Sequence, residues 1–368
     1  MSSSFRGTAG DLRAGDRLPS RVMRPDDATR GVRGVRFGLS LSGMIQEPRD
    51  GDLRRRLGEI VAWVGRARSL GFEYLVTGQH YLTREYQTFQ PLPLLARLAA
   101  ETGEMRLVPT ILLPLQHPVE LAEATATLDV ITGGRLTLNA ARGYRAEEYA
   151  AFGVDRERAS ARMRECLDCL VALWSGQPVL FEGAHYRLNG ATIGTLPVQR
   201  PHPPVWIAAD GDAGVRRAAR WGLPWSVNAH ADLPTLQRQV ALYRSEAAAA
   251  GNDPAVRLPL GRELYCAPTG AEALADAERY LGSKYRVYAG WGQDRELPGR
   301  PSFRAGFQAL AAERFIVGAP GDCIRELRRY LALGIGECHL RMVWSGMPAR
   351  LAERSLDLFA REVLPALA

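Results

Sequence analysis

From Val35 onward, short apolar runs alternate with longer amphipathic ones. VRFGLSLS (35–42) reads as a strand, and DLRRRLGEIVAWVGRARSLG (52–71) as a helix closed by Gly71. FEYLVT (72–77) is a second strand, and the helix after it starts near Pro91. MRLVPTIL (105–112) is a third strand. PVELAEATATLDVITGG (118–134) follows as a helix with proline in its first turn and glycines past its end. RLTLNAA (135–141) is the fourth strand, and the helix over 155–176 lines up Met163, Cys166, Leu167, Leu170 and Trp174 on one face. PVLFEGAHYRL (178–188) reads as an inserted hairpin turning at Glu182-Gly183. The alternation then resumes: strand 204–209, helix 213–221, strand 223–229, helix 234–250, strand 257–266 and helix 270–282. Residues 283–314 break the rhythm as a long insertion. A helix over 318–334, a last strand ECHLRMVW (337–344) and a closing helix over 348–366 complete the chain.

Eight strands separated by helices imply an α/β protein with a parallel sheet, and that number favours a closed (β/α)8 barrel of the TIM type over an open doubly wound sheet. No G-x-G-x-x-G follows the first strand, which also argues against a dinucleotide fold. The expected organisation is a single barrel domain over 35–368. Residues 1–34, rich in Arg, Asp, Gly and Ser and without periodicity, are expected to be an extension that is flexible or draped over the surface.

Charge and composition narrow the function. The net charge of +7 comes from 47 basic and 40 acidic residues that alternate along the helices, so no nucleic-acid partner is expected. Lys284 is the only lysine, which excludes most Schiff-base schemes. No run approaches the roughly 18 apolar residues of a spanning helix. The N-terminus lacks a signal pattern and the five cysteines are sparse, so a cytoplasmic location is expected. Cys166 and Cys169 spell C-x-x-C but lie inside an amphipathic helix, where core packing is the expectation.

In such barrels chemistry sits at the C-terminal ends of the strands, so the residues there are the candidates. They include Gln79 and His80 after the second strand, Pro109 and Thr110 on the third, and Asn139 through Tyr144 at the end of the fourth. The fifth strand leads into Asp210-Gly211-Asp212-Ala213-Gly214, the sixth into His230, and the eighth into Trp344-Ser345. His80, His117, His230 and Asp210 come from separate loops, and no metal site is expected from their spacing. No G-x-S-x-G elbow is present. Arg142 beside Gly143 can offer a fork to a phosphate, or else pair with Glu147 or Glu148 on the rim. The 210–214 loop opens a helix whose free N–H groups also suit an anion. Together they form a candidate phosphate site for a nucleotide cofactor.

These residues carry a resemblance. FGLSLS, SLGFEYLVTGQHY, LPLQHPVELAEATATLDVITGGRLTLNAARGYRAEEYAAFGVD, PPVWIAADGDAGVRRAARWGLP and GAPGDCIRELRRYLALGIGECHLRMVWSGMP occur in one order and spacing. Through them the chain resembles the bacterial-luciferase-like flavin monooxygenases over about residues 35–366. The resemblance implies that Arg142 grips the phosphate of flavin mononucleotide (FMN), that Asp210 and Gly211 contact it through their backbone, and that Asn139 is also a cofactor residue. Pro109 and Thr110 fall where the family places a cis peptide against the isoalloxazine ring. His80 aligns with the second histidine of a luciferase pair and Gln79 replaces the first. A glutamine orients by hydrogen bonding but cannot shuttle a proton. Ala141 stands where luciferase has a reactive cysteine, so light emission is not expected, whereas oxygen chemistry is.

The implied activity is a two-component monooxygenase. Reduced FMN comes from a separate flavin reductase, molecular oxygen adds to give a flavin C4a-peroxide, and a small organic substrate is oxygenated. Hydride transfer with the deazaflavin F420, and a non-catalytic flavin-binding or partner subunit, are the alternatives. A homo-oligomer is expected by family habit. Trp206, Trp225, Trp344, Met44 and Tyr81 are candidate pocket walls, and the 283–314 insertion is a lid over the mouth or an oligomer contact.

Overall fold

A computed structural model describes residues 11–13 and 34–367. Eight parallel strands form the barrel: β1 (Arg36–Ser40), β2 (Tyr74–Thr77), β3 (Arg106–Leu112), β4 (Leu138–Ala141), β5 (Val205–Ala209), β6 (Trp225–Val227), β7 (Leu258–Cys266) and β8 (Ile335–Arg341). Each strand from β2 on pairs in parallel with its predecessor, and β8 pairs also with β1, so the ring is closed. The expected α/β barrel is thus the observed one, with all eight strands in the expected order.

Alternation along the strands sorts the side chains into two layers. Leu39, Leu75, Leu107, Ile111, Leu138, Ala140, Val205 and Ile207 face outward into the main core beneath the helices. Tyr74, Val76, Val108 and Trp206 face the barrel axis as a separate buried cluster. Gly38 on β1 makes room for this filling, since a Cβ there would lie 2.7 Å from the Tyr74 ring. Arg106 at the start of β3 stacks over Tyr74 and Trp206 at 5.1 and 5.7 Å and pairs with Glu337 near the start of β8. These groups fill the N-terminal end of the barrel.

The inserted hairpin is present as Val179–Glu182 and Arg187–Ala191, and Asp11–Arg13 adds a third strand parallel to its first. The rest of the 1–33 extension lies outside the described residues. The insertion begins later than expected: the helix Gly270–Trp291 does not stop at 282 but runs on until Gly292, at φ +83°, caps it. A short turn (Gln293–Glu296), a five-residue helix (Phe307–Ala311) and a strand (Ile316–Gly318) paired with β7 then follow. All five cysteines are buried as free thiols, Cys166 and Cys169 within the main core. Among the described residues no helix is long and apolar enough to cross a membrane.

Candidate active site

A cavity of about 430 Å³ opens at the C-terminal mouth of the barrel. Its wall includes Gln79, His80, Thr110, Asn139, Arg142, Asp210 and Gly211, so seven of the eight candidate residues meet there although they come from four strand ends. Pro109 is the exception. It has the outward parity of Leu107 and Ile111, while Thr110 has the inward one. The expected cis peptide at Pro109 and Thr110 is also absent, because among the described residues the only cis bond joins Arg200 and Pro201. The four aromatic candidates and Met44 do not line the cavity either. Trp206 belongs to the barrel floor, Trp225, Trp344 and Met44 to the outer core, and Tyr81 packs against Phe152 on the rim at 4.8 Å.

One side of the cavity gathers two guanidinium groups and a helix N-terminus. Gly143, at φ +81°, turns the chain after β4 and leaves Arg142 on the wall. Neither Glu147 nor Glu148 pairs with Arg142, because both are taken by Arg145. Its partner is Glu296 from the insertion at 2.8 Å, and the other oxygen of Glu296 lies 2.6 Å from Arg156. Facing it is Arg217, which donates to the Ser160 hydroxyl at 2.8 Å. Burial, and next the charge of Arg142, push the Arg217 guanidinium below its ordinary pKa. The helix Asp212–Arg220 starts here with no side chain capping it, so its first N–H groups are available. A Cβ on Gly211 would lie 3.0 Å from the Glu296 carbonyl oxygen, so a larger residue would crowd this corner. Asp210 accepts from Gln293 at 2.9 Å, and burial raises its carboxyl to about 6.

The middle of the wall is neutral. Asn139 donates to the Thr110 hydroxyl at 2.9 Å and keeps a buried carbonyl oxygen without a partner. Both hydrogens of the Gln79 amide are engaged. It accepts from Leu112 N at 2.8 Å and donates to the Tyr81 hydroxyl and to Gln90 at 2.9 and 3.3 Å. These bonds tie Gln79 to the end of β3 and occupy both its amide hydrogens. His80 is held by Glu148, a buried carboxylate that also accepts from Tyr81 N and from Arg145. With Nδ1–H donated to Glu148, Nε2 is the ring's exchangeable position. Tyr144 and Tyr288 stand edge-on to this imidazole at 5.8 and 6.5 Å, and Trp291 lies 5.0 Å away.

Opposite Arg142 in the barrel, Arg341 ends β8 and also lines the cavity, beside Asn228, His230, His339 and Tyr288. Burial and the Arg341 charge lower His339 to about 3, so it is neutral. His80, His117 and His230 do not converge, and among the described residues no three His, Cys, Asp or Glu side chains gather to hold a metal. Arg217, Ser160, Glu296 and Arg341 were not among the expected residues, and Glu148 was expected only as a rim partner of Arg142. Arg341 ends its strand in the structure, but in the sequence Met342, Val343 and Trp344 carry the apolar run past it.

Comparison with known proteins identifies the family. A model of the luciferase-like monooxygenase family matches residues 35–337. The chain is 28% identical over 354 residues to an FMNH2-dependent dimethylsulfone monooxygenase of Pseudomonas putida, covering 91% of this chain and 93% of that one. It is 26% identical over 311 residues to the oxygenase component of a flavin-dependent trigonelline monooxygenase of Acinetobacter baylyi, covering 80% and 86%. It spans only 52% and 58% of two other curated relatives, uncharacterized proteins of Sinorhizobium fredii. The crystal structure of monooxygenase RslO1 from Streptomyces bottropensis superimposes with a TM-score of 0.80 at 27% identity, over 91% of this chain and all of that one. A family match spanning nearly the whole barrel means that the chain belongs to the luciferase-like monooxygenases and is an enzyme that works with a flavin-type cofactor.

Proposed function

We propose that the chain is the oxygenase component of a two-component system, taking reduced FMN from a separate reductase and using molecular oxygen on a small organic substrate. The observation that carries this reading is the placing of Arg142 and Arg217 together at the uncapped N-terminus of the helix Asp212–Arg220, at one edge of the cavity. The residues present fit the cofactor. The volume lies within the ~300–1,000 Å³ usual for small-molecule sites. The partnerless Asn139 oxygen and Asn228 amide nitrogen also offer hydrogen-bonding groups of the kind a flavin ring edge needs.

Reduced flavin, when bound, supplies the activation of oxygen. The chain's own residues do the rest. Arg142, Arg217 and the helix N–H groups hold the phosphate, with Glu296 giving up its bond to Arg142. Asn139 and Thr110 position the ring system. His80, oriented by Glu148, holds or releases a proton at Nε2. Tyr144, Tyr288 and the turn after Trp291 narrow the mouth and restrict water.

Rapid mixing tests the reading. Protein with photoreduced FMN is exposed to oxygen and the flavin absorbance is followed. Reoxidation slower than that of free FMN, and reverting to the free rate in Arg142→Ala, is expected. Reoxidation at the free rate in the wild type removes the reading, and tight binding of reduced F420 in its place favours hydride transfer.

A further inference from the structure

Arg341 is a cation without a dedicated counter-ion. Its Nη1 lies 3.3 Å from His230 Nε2 and 3.5 Å from Glu263 Oε1. A guanidinium only donates, so His230 Nε2 is the acceptor and the imidazole proton sits on Nδ1, 3.0 Å from the Tyr285 hydroxyl. Burial, with Arg341, Lys284, Arg262 and Arg314 around it, keeps this histidine neutral. Glu263 is already engaged on both oxygens, by Lys284 on one and by Trp344 Nε1 at 2.7 Å on the other. One carboxylate therefore serves two cations. Nε and Nη2, the donors that share one edge of the Arg341 guanidinium, have no acceptor among the described residues, and Nε is buried. The other acids on the cavity wall are committed, Asp210 to Gln293 and Glu296 to Arg142 and Arg156.

An under-neutralised cation in a low-dielectric wall calls for an anion, and a free Nε/Nη2 edge matches the two oxygens of a carboxylate or sulfonate. β8 and β4 have three strands between them either way round the ring, so this fork is separate from the Arg142 site. Between the two, Ile45, Val227 and Tyr288 offer apolar surface. We propose that Arg341 binds an anionic group of the substrate, so that the substrate class is organic monoanions, carboxylates or sulfonates on an apolar body. Assigning this anion to a substrate rests on the cofactor reading above, in which the phosphate occupies the Arg142 side.

The test is calorimetric titration of the full-length protein, FMN-free and FMN-loaded, with benzoate, benzenesulfonate and the neutral benzamide. At least one of the anions is expected to bind about tenfold or more tighter than benzamide, and the stronger of the two identifies the head group. Arg341→Met should abolish the difference and Arg341→Lys keep part of it, with melting curves confirming that both fold. The wild-type comparison stands even if the Met variant does not fold. Equal affinity for all three probes overturns the proposal. So does a preference that survives in Arg341→Met, or anion binding that FMN displaces competitively. Flavin fluorescence titrations on the same samples separate the two readings. FMN bound without an anion preference removes only the substrate inference, whereas an anion preference without FMN binding keeps the anion site and removes the cofactor reading.

Discussion

At the β4 side of the cavity, the counter-charge to Arg142 is Glu296, a carboxylate 21% exposed on a turn of the insertion. At the β8 side, the counter-charge to Arg341 is Glu263, fully buried on a barrel strand and shared with Lys284. The first can be exchanged, since an incoming phosphate can replace Glu296 on Arg142 while Glu296 keeps Arg156 and solvent. The second cannot leave without stranding two cations in the core, so only an added ligand can complete the charge there. The same chemical pair, guanidinium and carboxylate, thus serves as a replaceable plug at one end and a fixed support at the other. What distinguishes them is burial and the element that carries the acid.

Neutralising the two acids should separate the ends most sharply. Glu263→Gln leaves Lys284 and Arg341 without a buried counter-charge, and a loss of about 3–5 kcal/mol in unfolding free energy is expected by denaturant titration. A loss below about 1 kcal/mol, the surface range, makes Glu263 no different from Glu296. Next in size is Arg142→Ala, expected to weaken reduced FMN about 100-fold, or roughly 3 kcal/mol, by fluorescence titration.

Asp210 gives a smaller effect with a defined pH window. Its folded pKa, about 6, lies above the ordinary 3.8, so the folded state holds the proton more tightly. Stability is therefore highest below the ordinary value, falls as pH rises to about 6, and stays lowered above it. Asp210→Asn, which can still accept from Gln293, should be more stable than wild type by about 1–2 kcal/mol at pH 8 and lose that advantage towards pH 4. Melting temperatures at the two pH values check this. The smallest stability change is expected for Glu296→Gln, under about 1 kcal/mol. Because it removes a competitor for Arg142, it should also tighten FMN about three- to tenfold. Weaker FMN binding in this variant indicates that Glu296 supports the site instead of plugging it.

The barrel was legible in the sequence because its strands and helices differ in period and keep alternating around the hairpin and the insertion. The site was legible only where a candidate sits at a strand end and faces inward. Pro109 failed the second condition, since one residue of shift reverses the face. Arg341 was passed over because Met342, Val343 and Trp344 prolong the apolar run, which moved the expected strand end from 341 to 344. Glu296 and Arg217 reach Arg142 from elements far away in the chain, and no local spacing announces such an encounter. Gln79 matched a family position, and its hydrogen bond from the end of β3 became visible only in three dimensions.

The most direct measurement of the central assignment is equilibrium binding of reduced FMN against reduced riboflavin, which differ by the phosphate. FMN is expected to bind about 100-fold more tightly, and Arg142→Ala should bring the two close together. Equal affinity of the wild-type protein for both contradicts the phosphate site, and with it the reading of this mouth as a place for FMN.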